Sequence, residues 1–495
     1  MGSDFDIVVV GGGGASLMAA YSAAAAGRSV IVLEKQPDLG GTTAMSVGTI
    51  CTSSTPHQQR AGIIDSPDEH FEDMGKFPGA LPHRDNLALR RLLVDHVPEV
   101  FRLLLELGVE FVGPIAESPH RVPRLHAIVP HSRGYIGRLS RACRRHGVIF
   151  RTSAPVLRLI IENGRVRGVE IAASGGAQII RAGCVILASG DFSSADRGFK
   201  ARFLQGPLLQ ISGINPASTG DGQRLGEAAG GEIVNGDLAW GPEIRFVAPK
   251  RPKLLSRLPP GRRLAKIIST AMRMLPGRIL RPLLMSYVTT YLAPSHNLFR
   301  EGAVLVNASG QRFCDERERP QDKIGEESGQ QAFIVFDQDI AAKFDAWPNF
   351  ISTAPGVGYA YLSDYRRSRR DICFEARTWE ELAQATGLPA GALARTMAAY
   401  DAECGARARP ALQQPPFFAL GPAKSWIVFT EGGLRVNEKL QVLGAGRTPI
   451  AGLYAAGSAG QGGVVLEGHG HHLAWAFTSG RLAGRYAAEE AASIK

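Results

Sequence analysis

The chain has 495 residues, 44% of them hydrophobic and 21% charged, the balance of an ordinary globular protein too long for one simple domain. Its six cysteines lie far apart with no CxxC pair, which argues against a disulfide framework and offers no zinc-ligand spacing, so no metal site is expected. The formal net charge is +10, but residues 246–294 carry ten Lys or Arg and no Asp or Glu. The basicity is therefore local, unlike the broad footprint of a general nucleic-acid binder. Scattered thiols and the lack of a signal peptide point to a reducing cytoplasm.

Residues 6–34 read as strand, glycine turn, helix and strand. Residues 7–27 carry no charge, but their Gly and Ala content and three consecutive valines suit a strand and helix start rather than a lipid-facing helix. In Val8-Val9-Val10-Gly11-Gly12-Gly13-Gly14-Ala15-Ser16, Gly11 makes the tight turn and Gly13 lets the backbone approach a pyrophosphate. Gly14 and Ala15 open a helix whose N–H groups face the phosphates. Ser16 replaces the usual third glycine and is small enough to keep helix and strand close. Glu34 ends the second strand, beside Lys35, in position to accept from ribose hydroxyls. These elements together predict a dinucleotide site.

Four further segments distinguish FAD from a nicotinamide cofactor. Gly40-Gly41-Thr42-Thr43-Ala44 would let the backbone lie along the pyrophosphate and flavin edge. Helical spacing dominates residues 71–108, with Leu87, Leu92, Val97, Phe101 and Leu105 in step. Residues 138–170 read as a helix and short strands, the second at Val156–Glu162, which puts Val156 on the cofactor side. A strand reaching Ala188, Ser189 and Gly190 ends near the adenosine, Asp221 offers a carboxylate to ribityl hydroxyls, and a later strand ends at Gly457.

Residues 235–415 differ in texture and read as an inserted capping domain, with a helix over 386–400. Residues 1–234 and 416–495 then form one FAD-binding domain. The expected fold is α/β: a three-layer Rossmann-like domain with an α+β substrate cap.

Taken in order, these motifs resemble the flavoprotein family that includes fumarate reductase, the succinate dehydrogenase flavoprotein and 3-ketosteroid dehydrogenases. Glu431-Gly432-Gly433-Leu434 and Gly480-Arg481-Leu482-Ala483-Gly484 add to the resemblance, which covers nearly the whole chain. It implies a flavin held near His472 and Leu473. The histidine that carries covalent flavin in respiratory relatives would lie near residues 43–48, where none occurs, so non-covalent FAD is expected.

The fumarate reductase branch implies two arginines and two histidines around a dicarboxylate. Here the C-terminal arginine falls on Glu467, one histidine falls on Phe429, and the other falls in Ala239-Trp240-Gly241-Pro242, which has none. The catalytic arginine lands on Pro320, with Arg319 adjacent. The ketosteroid dehydrogenase branch fits better, through Ala239-Trp240-Gly241-Pro242 and a substrate-carbonyl amide that falls on Gly470, although its tyrosines fall on Leu466 or Glu467. That branch implies removal of an α-proton and transfer of a β-hydride to flavin N5, forming a C=C bond beside a ketone on a hydrophobic, cyclic, steroid-like substrate. Candidate catalytic groups are Gly470 for the oxygen, Glu467, Tyr291 and Tyr287 as base, then His469 and Arg319. Trp240 is expected as a pocket wall. An enoate or fumarate-type reductase and an electron-transfer flavoprotein subunit are the alternatives, and the electron acceptor is unknown.

Within residues 246–294, Leu264, Ile267, Ile268, Ala271, Met272 and Leu275 repeat at helical spacing beside Arg262, Lys266 and Arg273. A basic amphipathic helix of this kind can rest on an anionic membrane, here the inner face.

Overall fold

Alternation of buried valines with a glycine turn builds the first unit of the chain. The computed structural model describes residues 4–77, 79, 81–173, 175–249, 261–274, 281, 282, 285, 289, 292–354, 358–407 and 409–493. Strand β1 (Phe5–Val10) leads through the glycine turn into helix α1 (Gly14–Ala25), and β2 (Val30–Leu33) returns parallel to β1, with Val8 opposite Ile31. β1 and β2 read as continuous apolar runs because both their faces are covered.

Beyond β2 come β3 (Thr49–Cys51), α2 (Pro67–Met74) and α3 (Leu87–Glu106), then β4 (Glu110–Ile115) and β5 (Leu125–Val129). β3 and β4 pair antiparallel with β5 on either side. In α3 the buried stripe is Leu89, Leu93, Val97, Val100, Phe101 and Leu104, whereas Leu87 is exposed. The helical period holds there, and the inward face is turned from the one that counting from Leu87 suggests.

The main sheet has eight strands. β6 (Ile149–Arg151) lies beside β2, and β7 (Val156–Glu162), β8 (Arg165–Ala173) and β9 (Gly176–Leu187) form an antiparallel meander. β9 carries on past the meander to run parallel to β1, with Val185 opposite Val8.

A second, five-stranded antiparallel sheet holds β11 (Glu243–Phe246), β12 (Val304–Asn307), β13 (Ala332–Phe336), β14 (Cys373–Ala376) and β15 (Phe417–Trp426). Its apolar side packs into a separate core around Phe336, Phe344, Phe418 and Met397. The expected return to the cofactor domain at 416 comes too early, because β15 pairs with β11, β13 and β14 of this second sheet. Two short ladders bridge the units: β10 (Ala239–Trp240) pairs with β16 (Phe429–Thr430), and Ile233–Val234 pairs with Gly433–Leu434.

The chain then re-enters the first sheet through β17 (Gln441–Leu443) and β18 (Pro449–Ala455), the latter parallel to β9. It closes with α5 (His471–Ser493), which packs along α1. Between β11 and β12, helix α4 (Arg262–Met274) rests on β4, burying Ala265 and Ser269 while Ile267 stands 65% and Met274 78% exposed. The face it buries is thus narrower than the apolar repeat predicts. No helix among the described residues is long and apolar enough to cross a membrane.

One buried group sets an acid limit. His126 on β5 is fully buried against Phe101, and its ring is held by the Arg124 carbonyl and the Thr55 hydroxyl. Burial first, and the nearby His57 second, push its pKa down to about 3. Below pH 6.5 the unfolded chain takes up a proton that folded His126 refuses until about pH 3. Stability is thus lost as the pH falls through that window, by about 2 kcal/mol at pH 5. Denaturant midpoints of the wild type should fall more steeply between pH 7 and pH 5 than those of His126→Gln; equal slopes would disprove the assignment.

Candidate active site and cofactor cleft

A cleft of about 500 Å³ runs along the carboxyl ends of β1, β2 and β9 and opens beneath the second sheet. One end is built by the glycine turn. Gly11 has φ +111°, and a Cβ there would lie 2.6 Å from the Ala188 carbonyl, so only glycine fits. Gly13 caps α1 with no side-chain hydrogen bond, leaving the helix N-terminus open toward the cleft. The Ser16 hydroxyl donates to the Ala188 carbonyl at 2.8 Å and ties α1 to β9, which explains serine at the third glycine position. Glu34 accepts from the Gln36 amide at 2.8 Å, and burial raises its carboxyl above the usual range. Lys35 pairs with Asp221 at 2.8 Å and also holds Thr219.

Of the expected cofactor residues, Gly11, Gly13, Gly14, Ala15, Glu34, Lys35, Gly41, Thr42, Thr43, Val156, Ala188, Ser189, Gly190, Asp221, Gly457, Gly470, His472 and Leu473 all line this cleft. Ser16, Gly40 and Ala44 do not, and act from behind: the Gly40 amide donates to the Gly12 carbonyl, and the Ala44 carbonyl accepts from Ser132. Sequence reasoning missed the strip from Met45 to Thr49 and the turn at Asn215, whose amide reaches Thr42 at 2.9 Å. The Asn215-Pro216 turn dipeptide was the available signal for the second.

A long, open groove with one helix N-terminus at each end suits an extended phosphate-bearing group. α1 serves the glycine-turn end, and the 23-residue α5 presents Gly470, His472 and Leu473 at the other. These residues fit FAD, which supplies a two-electron hydride acceptor when bound.

The far end differs from the sequence expectation in several places. Gly470 is present, held at φ +85° against β3, where a Cβ would meet the Cys51 amide at 2.7 Å. Beside it stands His469. Its Nδ1 is bound to the Glu117 carboxylate, which also accepts the His469 amide at 3.2 Å. Glu117 is almost fully buried, so the ring is fixed in one orientation with Nε2 left for the cleft. Glu117 carries no local motif and was not foreseen. His472 makes a similar contact, its Nε2 3.1 Å from the buried Glu431.

Trp240 and Phe429 form the opposing wall, with centroids 5.3 Å apart and His472 3.7 Å from Phe429. Glu243 and Arg245 on β11 also face the cleft and pair with each other at 2.6 Å. Strand alternation with the buried Ile244 and Phe246 was the signal for them.

Glu467 does not line the cleft. It is half-buried under Gly79, in contact with its backbone, and burial followed by repulsion from Glu431 raises its pKa. Arg319 is also away from the cleft: its side chain is 67% exposed and held by Asp322 at 2.6 Å, a surface ion pair. Tyr287 and Tyr291 lie outside the described residues.

The profile of the FAD binding domain family matches residues 6–253 and 288–466. The probable fumarate reductase Ifc3 of Shewanella frigidimarina is 27% identical over 94% of this chain and 71% of its own. The 3-oxosteroid 1-dehydrogenase of Mycobacterium tuberculosis is 24% identical over 99% of both. The open conformation of a flavocytochrome c3 fumarate reductase shares the fold with a TM-score of 0.73 at 24% identity, over 99% of this chain and 79% of that one. The glycine turn, the acidic end of β2 and the cleft along the strand ends therefore have a common explanation: the chain belongs to the FAD binding domain family, as an FAD-dependent oxidoreductase of the fumarate reductase and 3-ketosteroid dehydrogenase group.

Proposed function

We propose that the chain is a dehydrogenase that forms a C=C bond beside a ketone on a hydrophobic, cyclic, 3-ketosteroid-like substrate. The observation that carries this reading is the His469–Glu117 pair beside the Gly470 amide, facing an aromatic wall. A dicarboxylate needs cations on both ends. At that wall stand Trp240 and Phe429, which suit an apolar ring instead.

In this reading His469 Nε2 removes the α-proton. Glu117 keeps the other ring nitrogen oriented and stabilises the imidazolium that forms. The Gly470 amide, at the start of α5, holds the substrate oxygen as it gains negative charge. Trp240 and Phe429 pack the ring and keep water out. FAD, held by the glycine turn and the start of α5, would supply the acceptor for the β-hydride.

A reductase acting on an unsaturated acid is the second reading. Arg245 favours it, because it is a cleft cation able to hold one carboxylate, although Glu243 already pairs with it. Under anaerobic conditions, a saturated ring ketone alone should bleach the flavin of the first enzyme, and succinate should not. Reoxidation of the reduced protein by an unsaturated acid, with no bleaching by any ketone, would establish the second reading instead. His469→Ala should slow bleaching by about 10²–10⁴-fold while FAD stays bound; an unchanged rate would remove His469 from the reaction.

We also propose peripheral membrane contact through α4. Ile267 and Met274 are exposed beside exposed Arg262, Arg263 and Lys266, a pairing suited to an anionic interface and to a lipid-soluble substrate. The protein should sediment with anionic vesicles at low salt, and Ile267→Glu should weaken that binding. Equal sedimentation of the two proteins would reject the contact.

A further inference from the structure

Behind the Gly470 turn, four side chains far apart in sequence converge on one point. Cys51 ends β3, His70 lies in α2, His120 sits in the loop before β5, and His471 is the first residue of α5. Cys51, His70 and His471 are fully buried. Their ligand atoms and that of His120 all lie within 4.8 Å of one another. We propose that these four residues form a structural zinc site that fixes the turn carrying His469 and Gly470.

The spacing suits a tetrahedral ion. Zinc bonds of ~2.0–2.1 Å to nitrogen and ~2.3 Å to sulfur imply edges of about 3.3 Å between nitrogens and about 3.6 Å between sulfur and nitrogen. Here His70 Nε2 is 3.1 Å from His471 Nε2, and Cys51 Sγ is 3.6 Å from His70 Nε2 and 3.4 Å from His120 Nε2. Three imidazoles and one thiolate match the borderline-soft preference of zinc better than that of magnesium or calcium.

The surrounding hydrogen bonds orient the ligands. His471 Nδ1 donates to the Glu467 carbonyl, so its Nε2 lone pair points into the cluster. This gives Glu467 a role through its backbone rather than its carboxylate. Arg124 donates to His120 Nδ1 at 2.9 Å, which leaves the proton on Nε2. His120 therefore joins the ion only when that proton moves to Nδ1 and Arg124 turns wholly to Asp65 and Asp73, each of which it already holds. His70 likewise moves to Nδ1 the Nε2 proton that it donates to His471, and Cys51 gives up its thiol proton, whereas His471 is already set for the ion.

Charge also balances. Binding of the divalent ion displaces the thiol proton to solvent and forms the sulfur–metal bond, with no redox change. The remaining single positive charge and the neighbouring Arg124 guanidinium together face Glu117, Asp65 and Asp73, which act electrostatically on Cys51.

The test is made on the FAD-loaded, full-length protein. Elemental analysis should find about one zinc per chain. After chelation, cobalt(II) alone should produce tetrahedral visible bands to the red of the flavin and a thiolate charge-transfer band. Cys51→Ser should lose the charge-transfer band. His70→Asn should weaken cobalt binding by more than the roughly 10–100-fold that loss of an outer hydrogen-bond partner costs. Chelation should lower the melting temperature of the wild type. If the variants fail to fold, the wild-type cobalt titration decides alone. Absence of stoichiometric metal together with no thiolate band in the wild type overturns the site and leaves a dry thiol–imidazole cluster.

Discussion

One backbone contact governs the reactive end of this protein. The Cys51 amide donates to the Gly470 carbonyl at 3.3 Å, and the two chains lie so close that no Cβ fits at position 470. The contact fixes where α5 begins. That start decides the direction of the Gly470 amide, sends His469 toward the cleft and turns His471 to the opposite side. Helix α5 is in turn anchored along its length by α1, which starts at the glycine turn. The two helix N-termini that meet the cleft are thus parts of one rigid pair. The glycine turn and the Gly470 amide are set together, which the proposed hydride transfer over a short distance would require.

Electrostatics at the far end bear on the choice between the two proposed readings. A dicarboxylate site must concentrate fixed cations, and each must be desolvated and matched. In this cleft Arg245 is already matched by Glu243, and the Glu117 and Glu431 carboxylates are bound by the His469 and His472 rings instead. On the proposed dehydrogenase reading, what remains to contact substrate is the His469 ring, aromatic surface and a backbone amide, a set that would select by shape and polar anchors rather than by net charge.

The parts that could be read from sequence are those whose cause is local. The glycine turn, the apolar strands beside it and the acidic residue ending β2 follow from rules that act within thirty or so residues, and the cleft includes nearly all of them. The misplacements have a common origin. Counting back from the closing motif puts Glu467 in register with a substrate residue, but register does not determine which way a side chain leaves a turn. Four residues later the helix begins, and the turn before it sends the Glu467 carboxylate under Gly79. The boundary near 416 misled similarly: Pro415-Pro416 reads as a linker, yet Phe417 opens the strand that sits between β11 and β13. Glu117 and the cysteine–histidine cluster were hidden because their partners lie far away in the chain, and spacing rules have nothing to measure there.

Distance in sequence also explains why the cluster behind Gly470 matters. His70, Glu117 and His120 come from a stretch of chain that contributes little to either sheet, and it must be held against α5 by side chains. Arg124 supplies part of that hold through Asp65 and Asp73, both of which it meets in full burial. A buried ion network of this kind is costly to form and loses most of its value when one member leaves. Its worth is positional: it presents Glu117 to His469 and His120 to Cys51 at once. The same loop therefore orients a side chain facing the cleft and closes the pocket of soft ligands behind it, so the two sites share one support.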